Sequence, residues 1–191
     1  MKKISTLIIC ILTYTLSAQD NTSQSAQNVR PHTLSVNGML SDPSQFGLSY
    51  EFSGFTLHPE KSTNMVNISY AVMNYEAGSV DVNGQGLAIE LGHKSYYSKE
   101  RPFTGFYTAN YLSYGNVRFE ESFFLGNFKG TYSYFSFFNP EIGYKIVLGN
   151  FVLDPFIGAM WKIEIKGRGD IDNKNVNVWA PRAGVKIGYN F

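Results

Sequence analysis

The chain has 191 residues, a net charge of +1 and equal shares, 16% each, of charged and aromatic residues, with 13 Tyr, 15 Phe and 18 Gly. That length suits one domain, and the balanced charge gives no hint of nucleic acid or another strongly charged partner. The charged fraction lies below the quarter usual in soluble domains, and the single cysteine, Cys10, excludes a disulfide framework.

Met1-Lys2-Lys3 followed by the mostly apolar Leu7–Leu16 and then Ser17-Ala18-Gln19 has the order of a secretory signal peptide. The apolar run is too short to span a bilayer as a helix. Cys10 lies within this segment, so a chain cleaved near Ala18 or Gln19 carries no thiol. The predicted organisation is a signal peptide over 1–18, a flexible periplasmic lead-in over 19–31, and one all-β domain over 32–191. The lead-in is polar and poor in apolar residues.

Strict alternation of apolar with small or polar residues marks strands with one oily and one wet face. The first predicted strand, Thr33–Leu40, sets Leu34, Val36, Gly38 and Leu40 against Ser35, Asn37 and Met39. Ser41-Asp42-Pro43-Ser44 is a turn. The second sets Phe46, Leu48, Tyr50 and Phe52 against Gly47, Ser49, Glu51 and Ser53, and the phase slips at Gly54 toward Phe55 and Leu57, which predicts a bulge. His58–Asn64 is a polar connection. The third strand, Met65–Tyr75, points Val66, Ile68, Tyr70 and Val72 one way, and Glu76–Gly84 reads as a loop. The fourth, Gln85–Tyr96, opposes Leu87, Ile89 and Leu91 to Glu90 and Lys94. In the fifth, Phe103–Arg118, Phe103, Tyr107 and Tyr111 share one face and Thr104, Thr108, Asn110 and Asn116 the other, and Leu112 breaks the alternation.

Glu120–Gly130 reads as a longer loop containing Phe123-Phe124, rings suited to a membrane-edge girdle. The sixth strand, Tyr132–Leu148, sends Ile142, Tyr144, Ile146 and Leu148 out and Glu141, Gly143 and Lys145 in. Gly149-Asn150 reverses the chain tightly. The seventh places Phe151, Leu153, Pro155, Ile157, Ala159, Trp161 and Ile163 outside, with Asp154, Lys162 and Glu164 inside. After the polar loop Gly167–Asn175, the last strand alternates Trp179, Pro181, Ala183, Val185, Ile187, Tyr189 and Phe191 with Ala180, Arg182, Gly184, Lys186, Gly188 and Asn190.

Eight strands, an even number, bring first and last together antiparallel. The pattern therefore predicts an eight-stranded antiparallel up-and-down transmembrane β-barrel. Its inner face would hold five acids, Glu51, Glu90, Glu141, Asp154 and Glu164, and five bases, Lys94, Lys145, Lys162, Arg182 and Lys186. A barrel of this size has room inside only for side chains, so these charges must pair. A soluble sandwich or barrel that buries the greasy face is the opposing architecture.

Behind an export signal, eight alternating strands ending Val185-Lys186-Ile187-Gly188-Tyr189-Asn190-Phe191 resemble the small OmpA/OmpX-type outer-membrane barrels. They are especially similar to the β-barrel-domain proteins of Bacteroidota-like Gram-negative bacteria. The resemblance covers about Thr33–Phe191. It implies an outer-membrane location, contact with outer-membrane lipid and lipopolysaccharide, and an assembly signal at Ile187, Tyr189 and Phe191 read by the barrel-assembly machinery. It also implies a monomer with a structural or surface-interaction role, and an extracellular ligand, if any, would meet the loops 119–131 and 167–175. No catalytic, cofactor or metal site is expected. Some barrels of this size modify lipid A, and the deacylase among them uses a His-x-Ser pair facing lipid. His93-Lys94-Ser95, with Glu100 nearby, is the counterpart to test, but it lies near the periplasmic end of its strand. His32 and His58 fall in connections and build no metal cluster.

Overall fold

The alternation folds as strands throughout. The computed structural model describes residues 32–54, 59–77, 80–98, 101–123, 126–171 and 176–191. The predicted signal peptide, Cys10 and the lead-in lie outside the described residues, as do Phe55, Leu57, His58, Glu100 and Phe124. Among the described residues there are nine strands: β1 His32–Leu40, β2 Ser44–Phe52, β3 Ser62–Ala77, β4 Val80–Tyr96, β5 Gly105–Phe123, β6 Gly126–Phe138, β7 Pro140–Leu148, β8 Phe151–Gly169 and β9 Trp179–Asn190. Every pairing is antiparallel. β6 and β7 are two halves of one stave, both lying between β5 and β8, so the sheet closes on itself as a ring of eight staves.

The register fixes the geometry of closure. From Met39 the inward row runs through Gln45, Ala71 and Gly86 to Val117. In the other direction it runs through Gly184, Phe156 and Gly143 to Tyr107. The two paths meet on β5 ten residues apart, at 107 and 117. A stagger of that size accompanies strands tilted by about 35–45° to the barrel axis. The seam is β1 with β9, completed by the backbone pair His32 N–H to Phe191 O at 3.3 Å and Phe191 N–H to His32 O at 2.9 Å. His32 thus belongs to a strand rather than a connection.

Five inward glycines make space for five rings. Tyr107 lies against Gly143, Tyr111 against Gly92, Phe119 against Gly84, Tyr134 against Gly115 and Phe156 against Gly184, each pair being direct cross-strand neighbours. A methyl group on any of these glycines would fall inside the van der Waals surface of its ring. Rings laid flat across an adjacent glycine fill a narrow barrel without widening it. Gly143→Ala is therefore expected to destabilise the barrel by about 1–3 kcal/mol through overpacking, measured by urea unfolding in detergent. An unchanged midpoint would show that the Tyr107 ring is free to move aside.

Several boundaries differ from the sequence reading. The predicted loops 76–84 and 120–130 are strand over most of their described residues, Ala77 pairing with Val80 and Phe123 with Gly126, and of 167–175 the first three residues continue β8 to Gly169. At this end of the barrel the alternation persists with its sense reversed. Met73, Tyr75, Val82, Phe119 and Tyr132 point inward into an apolar cluster with Met160, Tyr134 and Ile171, while the outward positions turn polar. On β5 the phase is opposite to that expected. Tyr107 and Tyr111 are fully buried inside, and Leu112, with Phe106 and Tyr114, belongs to the outer wall.

The predicted sixth strand breaks at Asn139, where one extra residue leaves both Phe137 and Phe138 exposed. Asn110 clamps this irregularity, donating to Phe137 O (3.0 Å) and accepting from Asn139 N–H (2.9 Å). Pro140, which has no N–H to place in the ladder, follows at once. Gly54, where a bulge was expected, lies beyond the end of β2 with φ 146°.

Candidate functional site

Two surfaces carry the chemistry: the interior and the outer wall. Their polarity is inverted relative to a water-soluble protein. Inside, four carboxylates (Glu51, Glu90, Glu141, Asp154) and four cations (Lys94, Lys145, Arg182, Lys186) are each 3% exposed or less. Taking any one of them out of water alone is prohibitive, and mutual pairing with hydrogen bonds offsets the penalty.

Alternation on separate staves brings them together as one network. Lys145 Nζ lies 3.1 Å from Glu51, Glu51 lies 3.5 Å from Lys94, and Lys94 lies 2.5 Å from Asp154. On the other side Arg182 grips Glu90 with two bonds, 2.9 and 3.1 Å, and approaches Glu141 at 3.8 Å. Lys186 donates to Glu141 at 2.7 Å. The Tyr107 hydroxyl joins the halves, within 2.6 Å of Asp154 and 3.0 Å of Glu141. Tyr96 and Thr63 donate to Glu51, Tyr111 to Glu141, and Asn67 and Ser113 to Glu90. Ring faces cover the ammonium groups: Lys94 Nζ sits 3.9 Å from the Tyr107 centroid and Lys186 Nζ 3.7 Å from that of Phe156.

Of the ten residues predicted for this network, eight are in it. Lys162 is buried but pairs with Asp42 of the β1–β2 turn at 2.9 Å, farther along the barrel. Glu164 is half-buried near the rim, opposite Tyr134 in register. Sequence reasoning passed over Asp42 because it sits in a turn. It missed the tyrosines because a ring reads as apolar until its hydroxyl is placed. Apolar side chains bracket the charges: Met65, Tyr96, Phe103, Tyr107, Ala109 and Tyr111 form one cluster at the end that carries the two strand termini His32 and Phe191. Phe103 holds a left-handed φ of 58° in the β4–β5 turn, a conformation that favours glycine, and its buried ring meets Tyr96 edge-on at 6.0 Å.

The outer wall is hydrocarbon. One register row runs Ile187, Val36, Leu48, Ile68, Ile89, Tyr114, all 38–57% exposed. A contiguous apolar surface around a whole barrel far exceeds the patches that soluble monomers expose. Aromatic rings gather at both ends of this band. His32, Tyr50, Phe52 and Phe191 stack at 5.6–5.9 Å near the strand termini, and Phe137, Trp161, Trp179 and Phe138 meet at 5.4–6.4 Å toward the other end. Such girdles mark the two interfaces of membrane barrels. Leu40, Phe46, Tyr70, Val72 and Val185 line a shallow groove of about 600 Å³ beside Gly38, on this wall rather than in the interior.

The predicted assembly-signal residues Ile187, Tyr189 and Phe191 all project from this wall along β9, 44–50% exposed, and Asn150 donates to the Tyr189 hydroxyl at 2.7 Å. His93 and Ser95 also face outward, but the imidazole lies 3.3 Å from the Asn64 amide oxygen. Among the described residues no group of His, Cys, Asp and Glu is arranged to hold a metal ion.

No protein-family model matches the chain, and no curated protein matches it significantly. Among solved structures it is similar to the N-terminal β-barrel domain of Pseudomonas aeruginosa OprF, with 13% identity over 86% of this chain and 100% of that one, at a TM-score of 0.48. It is also similar to Ail, the attachment invasion locus protein of Yersinia pestis, in a complex with the heparin analogue sucrose octasulfate. There the identity is 14% over 85% of this chain and 98% of that one, with a TM-score of 0.49. A second Ail structure matches at 11% identity over the same shares, with a TM-score of 0.47.

Proposed function

We propose that this chain is an integral outer-membrane β-barrel, closed by its own interior and acting through its surfaces in a structural or surface-interaction role. The observation that carries this reading is the inversion of polarity: paired charges and tyrosines fill the inside while hydrocarbon and two aromatic girdles form the outside. An eight-stave barrel leaves only enough interior for side chains, and here those side chains are ion-paired across the lumen. Moving an ion through would require breaking several of these pairs in a medium of low dielectric.

On this reading the barrel is a monomer in the lipid of the outer membrane, reached through the signal peptide. Ile187, Tyr189 and Phe191 present the terminal strand to the barrel-assembly machinery. No enzymatic step is part of this reading, and the His93 imidazole has the Asn64 amide oxygen as a neighbour at 3.3 Å. After refolding in detergent, the protein is expected to migrate on a gel differently before and after boiling. In planar bilayers it is expected to show no conductance steps. Steady ion conductance would refute the closed interior, and a stable detergent-free monomer in aqueous buffer would refute the membrane assignment itself.

A further inference from the structure

Beyond the girdle of Phe137, Phe138, Trp161 and Trp179, at the end of the barrel away from His32 and Phe191, the outer wall changes character within four residues. Tyr114, Phe135 and Ile163 stand side by side on β5, β6 and β8 and belong to the apolar band. Ile165 is then an extra residue of β8: Glu164 pairs with Tyr134, and Lys166 with the adjacent Ser133. A bulge of one residue exchanges the inner and outer faces of the strand beyond it. Its effect is to turn Arg168 outward, into register with Thr131, which in turn pairs with Arg118. Asn116 and Ser133, joined by a 2.7 Å hydrogen bond, lie between this row and the girdle.

Four strand residues from Tyr114 to Arg118 span about 13 Å, or about 9 Å of height at a tilt near 45°. The headgroup layer extends roughly 5–8 Å beyond each edge of the hydrocarbon. With Tyr114 at the boundary, the backbone of this row stands at the outer margin of that layer, and its long arginine side chains can reach back into it.

We propose that Arg118, Thr131 and Arg168 form a seat for a phosphate group of an outer-leaflet lipid. The proposal rests on the membrane reading given above. Arg118, Glu120, Lys129, Thr131, Arg168 and Gly169 surround a depression of about 220 Å³, room for a phosphate and part of the sugar or glycerol that bears it. Two guanidinium groups flank one hydroxyl, a donor set suited to the planar, multidentate recognition of phosphate oxygens.

The local charge balance leaves these arginines available. Lys129 is held by Glu120 at 2.9 Å, whereas Arg118 reaches the same carboxylate only at 3.9 Å and is 74% exposed. The nearby Asp170 carboxylate accepts from the Lys129 backbone N–H at 2.9 Å. Among the described residues Arg168 makes no ion pair. The seat opens sideways, above the lipid-facing rows, and this favours a membrane lipid over a soluble polyanion.

The test uses the refolded barrel in phosphatidylcholine nanodiscs doped with a bis-phosphorylated glucosamine glycolipid or with its dephosphorylated form. Native mass spectrometry counts the glycolipid that is retained. Retention of the phosphorylated form is expected, falling roughly tenfold or more in the doubly substituted R118Q/R168Q. It should be unchanged in R101Q, whose residue lies in the β4–β5 turn at the opposite end. Equal retention of both glycolipids, equal retention by R118Q/R168Q, or tight binding of a soluble sulfated polysaccharide with no glycolipid retained would each overturn the seat. Failure of the barrel to enter nanodiscs would overturn the membrane reading, and the seat with it.

Discussion

Replacing Glu90 with leucine is expected to destabilise the barrel by about 3–5 kcal/mol, the usual consequence of stranding one partner of a buried ion pair. Glu90 is fully buried and is the two-pronged acceptor of Arg182, whose other carboxylate, Glu141, lies 3.8 Å away and is already held by Lys186, Tyr107 and Tyr111. The guanidinium would lose both short bonds and keep only Glu141 Oε2, 3.8 Å away, as a carboxylate neighbour. The doubly substituted E90L/R182L is expected to recover most of the loss, since swapping a buried pair for well-packed apolar groups is often neutral or stabilising. Urea unfolding in detergent, followed by the fluorescence of Trp161 and Trp179, reads both variants. A double variant as unstable as E90L would mean that Glu90 acts through Asn67, Ser113 and Asn139 instead, all of which donate to it. The comparison thereby separates pairing of charge from loss of hydrogen bonds.

The architecture was legible because a membrane barrel writes its two faces into every second residue. Leu34 to Leu40, Phe46 to Phe52 and Trp179 to Phe191 fall on the outer wall as the alternation requires. The charges between them fall inside, so eight partners of one network could be listed without knowing any distance. Legibility failed where the rule changes sign. Val82 and Phe128 are apolar residues of the inner face beyond the girdle, and in a reading that expects apolar residues outside they mimic loop. It failed again where identity depends on a neighbour. Tyr107 and Tyr111 are inner residues because Gly143 and Gly92 leave room for their rings and because Glu141 accepts from their hydroxyls. Neither glycine is near either tyrosine in sequence. The same holds for Arg168, whose outward position depends on the single extra residue Ile165 and on the pairing of β6 with β8.

Ile68→Arg is the substitution that weighs hydrocarbon against water most directly. Ile68 is 53% exposed at the middle of the wall, with Leu48 and Ile89 as its cross-strand neighbours, and no ionisable side chain stands among these three. For a barrel folded in phospholipid vesicles, an arginine near the bilayer midplane is expected to cost about 2–4 kcal/mol, whereas an exposed position on a water-soluble protein would change by no more than about 0.5 kcal/mol. Replacing Ile187, in the same inclined row on β9 but about 10 Å nearer the end that carries Phe191, should cost less. Arginine at Asn116, above the girdle and already polar, should be tolerated, because the cost fades toward the interface. Denaturant titrations of the three variants in vesicles therefore trace a depth profile along the wall. A flat profile, with Ile68→Arg as harmless as Asn116→Arg, would place water against the face we assign to lipid. The charged interior would then have to be explained without a membrane. A steep one ties the outward isoleucines, the inward lysines and the bulge at Ile165 to a single boundary between hydrocarbon and headgroup.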